Sequence, residues 1–327
     1  MLCIEIAEPG GPEVLSIAER DTPRLSKGEI LVKVVATGVN GPDLMQRRGL
    51  YPAPKHATDV LGLEIAGHVA ACGKDVKNYK EGDKVCALAN GGGYAEFCTV
   101  KSDHCLPIPR GMTLANAASL PETYFTIWSN IFMGAALKAG EVYLVHGGAG
   151  GLGITSILLG KAFGATVIAI DSPKERIKVC SKLGADRVID YIKEDFVDIS
   201  RTEFGGADVI LDIIGGDNIA RNIKAAKHDA RIVQLAFAEG SSVKINLMPI
   251  MLKRLSYTGS TLRSRSDQQK TMIANELREK VWPLFETGDL KAVVNTVLPL
   301  SKAHEAHTLM ESAKHIGKIV LNCEVVL

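Results

Sequence analysis

Val142-Tyr143-Leu144-Val145-His146-Gly147-Gly148-Ala149-Gly150-Gly151-Leu152-Gly153 is the stretch on which the fold turns. Four apolar, mostly β-branched or aromatic residues read as a buried strand. The glycines read as a tight turn, and 154–163 reads as a helix packed back on the strand. Gly148, Gly150 and Gly153 fit the G-x-G-x-x-G spacing. In that pattern one glycine turns the chain, the next admits a pyrophosphate to the backbone, and the last lets helix and strand pack closely. The anion would sit at the helix N-terminus, where unpaired N–H groups and the dipole favour negative charge. Glycine-rich turns also join strands to helices for packing alone. Here Thr166-Val167-Ile168-Ala169-Ile170 follows as a second strand, and Asp171 closes it where an acid usually meets the adenosine ribose. Strand, turn, helix, strand and acid in that order favour dinucleotide binding.

Outward from this unit, strands and helices alternate from 142 to 235, which predicts a doubly wound parallel sheet. The first third is different. Short β-like runs (3–6, 30–35, 65–71, 84–88, 94–100) are broken by Gly, Pro, Asn and Asp, as in a small, irregular β-barrel. One helix, opened by Pro42 and stopped by Gly49, interrupts them. Helices are also expected over 115–119 and 124–133. After residue 266 a long helix (267–286), a β run (293–298), a short helix (303–312) and a last strand (318–321) follow. The fold class is therefore α/β, with a β-rich domain beside the parallel sheet. At 327 residues the chain suits two domains.

Composition narrows the function. The net charge is +1 with acids and bases interspersed, which argues against nucleic acid or a membrane surface as partner. No apolar run approaches the roughly 20 residues needed to span a bilayer, and the first residues do not look like a signal peptide. The seven cysteines are scattered without a C-x-x-C, so neither a disulfide framework nor a cysteine-rich zinc site is indicated. Reduced, mostly buried thiols in a cytoplasmic protein are expected.

Several motifs lie outside the glycine turn. They are Ala36-Thr37-Gly38-Val39-Asn40 with Asp43, Leu61 to Gly67, Asp43 to Arg47, Gly91-Gly92-Gly93, Leu262-Arg263-Ser264-Arg265, and Ile316-Gly317-Lys318-Ile319-Val320-Leu321. With Val145-His146-Gly147 they resemble the medium-chain dehydrogenase/reductase superfamily over almost the whole chain, and within it the zinc-free quinone oxidoreductase branch. The resemblance implies a GroES-like catalytic domain (1–120 with 262–327) and a Rossmann domain (121–261). Zinc alcohol dehydrogenases of the superfamily carry a cysteine where Asn40 stands and a histidine where Leu63 stands, so no metal is expected. His304 and His307 read as exposed residues of a surface helix.

The implied activity is NAD(P)H-dependent reduction of quinones or related small electrophiles. An enone or alkenal double-bond reductase, or a low-turnover cofactor-binding protein of crystallin type, is the alternative. Asn40 and Tyr51 are the implied catalytic groups, offering hydrogen bonds to a developing oxyanion. Asn40 equally suits a turn, Asp43 a helix start, and Glu64 a structural partner for a backbone or a base. The implied cofactor-binding residues are Gly147, Gly148, Gly150, Gly151, Gly153, Asp171, Ser172, Arg176, Tyr191 and Lys318. The branch implies NADPH. Asp171 instead favours NADH, because an acid accepts from a 2′-hydroxyl and repels a 2′-phosphate. Arg176 pulls toward NADPH. A homodimer is expected through an edge strand at 254–261, whose Leu255, Tyr257 and Thr258 carry nothing that blunts an edge.

Overall fold

The computed structural model describes residues 1–55 and 57–324. It divides into two compact units, Met1–Phe125 with Arg263–Leu327, and Thr126–Leu262.

The first unit opens with β1 (Leu2–Ile6) paired antiparallel to β2 (Leu15–Glu19). Then come β3 (Glu29–Val39), α1 (Gly41–Arg47), β4 (Glu64–Cys72), β5 (Lys84–Leu88), β6 (Phe97–Lys101), β7 (Cys105–Pro107), α2 (Leu114–Ala117) and α3 (Pro121–Ile127). The expected strand over 94–100 starts only at Phe97. Tyr94 and Ala95 instead meet β1, through Ile4 N donating to Tyr94 O and a bridge from Cys3 to Ala95.

The second unit carries β8 (Val142–His146), α4 (Gly151–Ala162), β9 (Thr166–Asp171), α5 (Lys174–Lys182), β10 (Arg187–Asp190), α6 (Phe196–Phe204), β11 (Ala207–Asp212), α7 (Asn218–Ala225), β12 (Ala226–Gln234), α8 (Met248–Lys253) and β13 (Ser256–Gly259). Its strands lie in the order β10-β9-β8-β11-β12-β13, and every pair is parallel. This is the doubly wound, Rossmann-type order, and its switch point falls between β8 and β11. All five residues of β8 are buried, as a central strand covered on both faces requires. Leu144, Ile168, Ile170, Ile210, Ile232 and Phe196 share one core. Helix α6 was not foreseen, although both its ends are marked. Asp195 caps the N–H groups of Val197 and Asp198, and Gly205 ends the helix at φ +70°.

The chain then returns to the first unit with α9 (Asp267–Glu276), α10 (Trp282–Thr287), β14 (Val294–Pro299), α11 (Ala303–Glu311) and β15 (Lys318–Asn322). The helix expected over 267–286 is interrupted. A π-helical turn, Leu277–Val281, separates α9 from α10. Pro283 lies just beyond it, where a ring without an N–H cannot continue regular α pairing. The helix expected over 124–133 likewise widens into a π-helical turn at Trp128–Gly134. The main sheet of this unit runs β14-β15-β3-β4-β5-β7, with β6 also on β3. Ile30, Val32, Ile65, Val85, Ile319 and Leu321 fill its core. All seven cysteines are free thiols, six of them buried. No helix among the described residues is long and apolar enough to cross a membrane.

Candidate active site

The glycine turn leaves β8 at its carboxyl end, beside the switch point. The N–H groups of Gly147 and Gly148 both donate to Ile170 O at 3.0 and 3.1 Å, tying the turn to β9. Gly147 adopts φ +69°, a conformation that side chains other than glycine rarely take. At Gly148 a Cβ would stand 2.8 Å from Cys180 Sγ and 3.0 Å from Ala169 Cβ. At Gly153 it would stand 2.2 Å from Gly147 O and 2.6 Å from Gly148 O. Gly150 caps α4 in extended conformation without a side chain, and Gly151 opens the helix. The leading N–H groups of α4 have no intrahelical acceptor, so the turn presents bare backbone donors where a pyrophosphate would bind.

The switch point is braced by residues that sequence reasoning missed. Asp212, ending β11, accepts from Ile214 N (2.7 Å) and Gly215 N (2.9 Å) through Oδ1. Its Oδ2 accepts from Asn222 Nδ2 (2.9 Å), and Asn222 Oδ1 lies 2.7 Å from His146 Nε2. His146 therefore carries its proton on Nε2 and donates it. Burial pushes its pKa down, against the pull of Asp212. The signal available in the sequence was Asp212-Ile213-Ile214-Gly215-Gly216, an acid followed by two glycines at a strand end.

The ribose end differs from expectation. Asp171 is buried, and its carboxylate accepts four N–H bonds. Oδ1 takes Ser172 N (2.8 Å) and Arg176 Nε (2.6 Å), and Oδ2 takes Ala149 N (2.7 Å) and Arg176 Nη2 (3.2 Å). A carboxylate offers about four lone-pair sites, so none remains for a ribose hydroxyl. Asp171 and Arg176, expected to pull cofactor choice in opposite directions, are instead one ion pair that anchors the turn through Ala149. Its acid is neutralised locally, which removes the repulsion expected toward a 2′-phosphate. Ser172 is buried beside it, whereas Tyr191 is exposed in the turn after β10.

In the first unit a polar cluster lies under α1. Lys318 Nζ pairs with Glu64 Oε1 (2.7 Å) and donates to Val39 O (3.2 Å) and Asn40 Oδ1. An ammonium has three donors, so all are committed. Lys318 has none left for a cofactor, contrary to the expectation that it binds one. Asn40 Nδ2 donates to Glu64 Oε1 (2.9 Å) and makes a long contact with Gly38 O (3.4 Å). Glu64 also accepts Glu122 N (2.8 Å). It thus partners both a base and a backbone, as its setting suggested. The approach of Glu64 explains Gly38, where a Cβ would lie 2.0 Å from Glu64 Oε1. Asp43 completes the capping box of α1, taking Asn40 N (2.9 Å) and Gly62 N (3.1 Å). Burial nevertheless pushes its pKa up to about 7, the two N–H bonds and Lys318 opposing.

Tyr51 lies half-buried in the loop after α1, with the Arg263 guanidinium 5.8 Å from its ring centre. Arg263 is buried and donates to Asn90 O (2.9 Å) and Gln46 Oε1 (2.6 Å), while Lys270 Nζ donates to Asn90 Oδ1 (2.7 Å) and Arg263 O (2.9 Å). Both cations rest on neutral acceptors. The expectation of two exposed histidines on α11 fails at one of them. His304 is exposed, but His307 is fully buried, with Nδ1 accepting from Arg47 (3.2 Å) and Nε2 meeting Tyr94 Oη (3.0 Å). Burial, then the Arg47 charge, pushes its pKa down to about 3. Among the described residues no group of three or more His, Cys, Asp or Glu is placed to hold a metal ion.

Comparison with known proteins places this geometry. Residues 26–110 match the alcohol dehydrogenase GroES-like domain, and residues 151–277 match the family described as zinc-binding dehydrogenase. The structure of Escherichia coli quinone oxidoreductase complexed with NADPH superposes with a TM-score of 0.88 at 29% identity, covering 99% of this chain and all of that one. The CurK enoyl reductase superposes at 0.85 with 26% identity, over 98% of each chain. Mouse quinone oxidoreductase is 30% identical over 328 aligned positions, covering 98% of this chain and 97% of its own. With both halves matched and the likeness running end to end, the chain belongs to the quinone oxidoreductase family of medium-chain dehydrogenases/reductases.

Proposed function

We propose that the chain is an NADPH-dependent oxidoreductase that reduces quinones or related small electrophiles without zinc. The observation that carries the cofactor assignment is the Asp171–Arg176 pair, an acid whose four lone pairs and charge are satisfied internally. The E. coli neighbour, solved with NADPH, supports the same choice. Gly147, Gly148, Gly150, Gly151 and Gly153 would hold the pyrophosphate, with Ser172, Arg176 and Tyr191 at the adenosine end. We assign the second unit as the dinucleotide domain and the first as the substrate domain. The bound cofactor supplies hydride.

The chain's own residues orient the acceptor and meet the charge that develops on it. Tyr51, carried on Arg263, offers a ring and a hydroxyl. Asn40 is pinned by Lys318 and Glu64, and its weak 3.4 Å contact to Gly38 O is the one an acceptor oxygen can replace. Where zinc relatives have cysteine, this amide is committed to an ammonium and a carboxylate, which supports zinc-independent chemistry.

Steady-state oxidation of NADPH and NADH with a quinone panel and an enone panel tests the reading. Turnover of quinones with NADPH preferred is expected. Preference for enones would favour the second reading, to which the CurK neighbour lends support. Binding without turnover on either panel would leave a crystallin-like protein and refute the proposal.

We further propose a homodimer formed through β13, in a cytoplasmic protein. Ser256, Tyr257, Thr258 and Gly259 are all exposed at the sheet edge, and α8 beside them exposes Met248, Met251 and Leu252. Light scattering should report twice the chain mass. A monomer mass throughout a dilution series would refute it.

A further inference from the structure

The Gly91-Gly92-Gly93 motif and Arg263 meet at one guanidinium. Gly91 adopts φ +141°, and a Cβ there would stand 3.2 Å from Arg263 Nη2 and 2.9 Å from Thr58 O. The bare turn leaves room for the fork, and Asn90 O accepts from both Nε (2.9 Å) and Nη2 (2.5 Å). Nη1 donates to Gln46 Oε1 (2.6 Å), and Gln46 Nε2 in turn donates to Asp59 O (2.7 Å). Gln46 thus bridges α1 and residue 59, on either side of Tyr51 in the chain, and Arg263 fixes the bridge. The same guanidinium lies 5.8 Å from the centre of the Tyr51 ring. Its charge is left unneutralised. Arg263 and its neighbour Lys270 are only 6% and 1% exposed, yet neither forms an ion pair among the described residues. Their acceptors are Asn90 O, Gln46 Oε1, Asn90 Oδ1 and Arg263 O, all neutral. Asp43, whose charge is felt at Arg263, is occupied by Asn40 N and Gly62 N. Buried charges are normally paired, and a carboxylate at position 46 or 90 would tie these segments more strongly. Neutral acceptors hold the fork in place but leave its charge to act on what lies beside it.

We propose that Arg263 is a positioning residue for Tyr51: held by Gln46 and Asn90 without a counter-ion, its guanidinium fixes the Tyr51 ring and makes the hydroxyl a stronger donor to the acceptor oxygen. This rests on the reductase reading above. A cation at the face of an aromatic ring is attracted to its electron density. Drawing that density from the phenol polarises the O–H bond, so the hydrogen bond strengthens as negative charge develops on the acceptor. Arg263 acts through Tyr51 and gives up no proton itself.

Three substitutions separate the fork from its charge. Arg263→Met removes both, and Arg263→Lys keeps the charge alone. Asn90→Asp keeps the hydrogen bond that the Asn90 side chain accepts from Lys270, and sets a negative charge on Lys270 and close to Arg263. With a quinone, Arg263→Met should lower kcat by about 3- to 30-fold, the range of a desolvated cation–π contact. NADPH Kd should be unchanged, and Arg263→Lys should recover part of the loss. Asn90→Asp should lower kcat while raising the thermal midpoint, because a buried pair replaces an unpaired cation. In a Tyr51→Phe background Arg263→Met should cost little more, since its effect runs through the hydroxyl. Fluorine NMR of the cofactor-free protein labelled with fluorotyrosine adds a readout without turnover. The resonance missing from Tyr51→Phe should move toward the position of free fluorotyrosine in Arg263→Met. Losses that add in the double variant, an unmoved Tyr51 resonance, or wild-type kcat in Asn90→Asp overturn the proposal. A wild-type protein inactive on every acceptor overturns the reductase reading instead, and the Tyr51 resonance still reports whether Arg263 holds the ring.

Discussion

Asp171→Asn tests the reassignment of the ribose-end acid. The substitution keeps the shape but leaves one accepting oxygen where two took four N–H bonds, and turns an NH₂ toward Ala149 N or Arg176. Arg176, whose side chain is only 13% exposed, loses its counterion. Removing one partner of a buried pair costs about 3–5 kcal/mol. Taking the low end, and about 2–4 °C per kcal/mol for a domain of this size, the second unit should melt about 6–12 °C lower. Because Ala149 is released from the carboxylate, the glycine turn loosens, and affinity for NADPH and NADH should fall together. In an Arg176→Gln background the same change should cost far less, giving a coupling of about 1–3 kcal/mol in a double-mutant cycle. Calorimetry gives the stabilities, and fluorescence titration gives both cofactor affinities. An unchanged melting temperature with a large change in the NADPH to NADH ratio would refute the argument, because the carboxylate would then be facing the ribose.

Gly153→Ala should weaken cofactor binding at least tenfold at a stability cost of about 1–3 kcal/mol, since its Cβ meets two backbone oxygens that cannot rotate away; normal affinity would show that the turn can shift. Lys318→Met leaves Glu64 buried without a counterion and should destabilise the first unit by about 3–5 kcal/mol, whereas Lys318→Met with Glu64→Gln should regain most of the loss. Chemical denaturation decides this, and equal losses in the single and double variants would count against the pair. His307 has a folded pKa of about 3, below its unfolded value, so its contribution is complete above about pH 6.5 and is lost as pH falls toward 3. By pH 5 the loss should reach about 2 kcal/mol. His307→Asn should flatten that part of the stability profile, and an unchanged acid slope would show that other groups set it.

The half with the Rossmann-type parallel sheet was legible because its turn is specified by the absence of side chains. Gly148 and Gly153 stand where a Cβ has no room, and a spacing pattern reports that directly. The residues read less completely are those whose partners only the fold supplies. Asp171 and Arg176 were recognised by type and place, yet nothing in linear order says that they pair with each other. Lys318 meets Glu64 and Asn40 only because β15 lies against β3 and β3 against β4. His307 looked like a surface residue until Arg47 and Tyr94 closed over it. Asp212 is marked by the two glycines that follow it, but Asn222 and His146, which complete the network, lie apart from it in the chain and carry no such mark.

The free cysteines bear on the substrates proposed here. Quinones and enones alkylate thiolates by conjugate addition, so a chain that handles them exposes its own sulfur to attack. Of seven thiols only Cys72 is partly accessible. Burial raises the pKa of every one, to about 12 at Cys98 and Cys180. The nucleophile is the thiolate, and these thiols are both protonated and shielded. Cys180 sits against Gly148, where an adduct would block the turn. The packing that fills the cores with small sulfur side chains therefore also shields six of the seven thiols from electrophilic substrates, and mass spectrometry after quinone exposure should find Cys72 modified first.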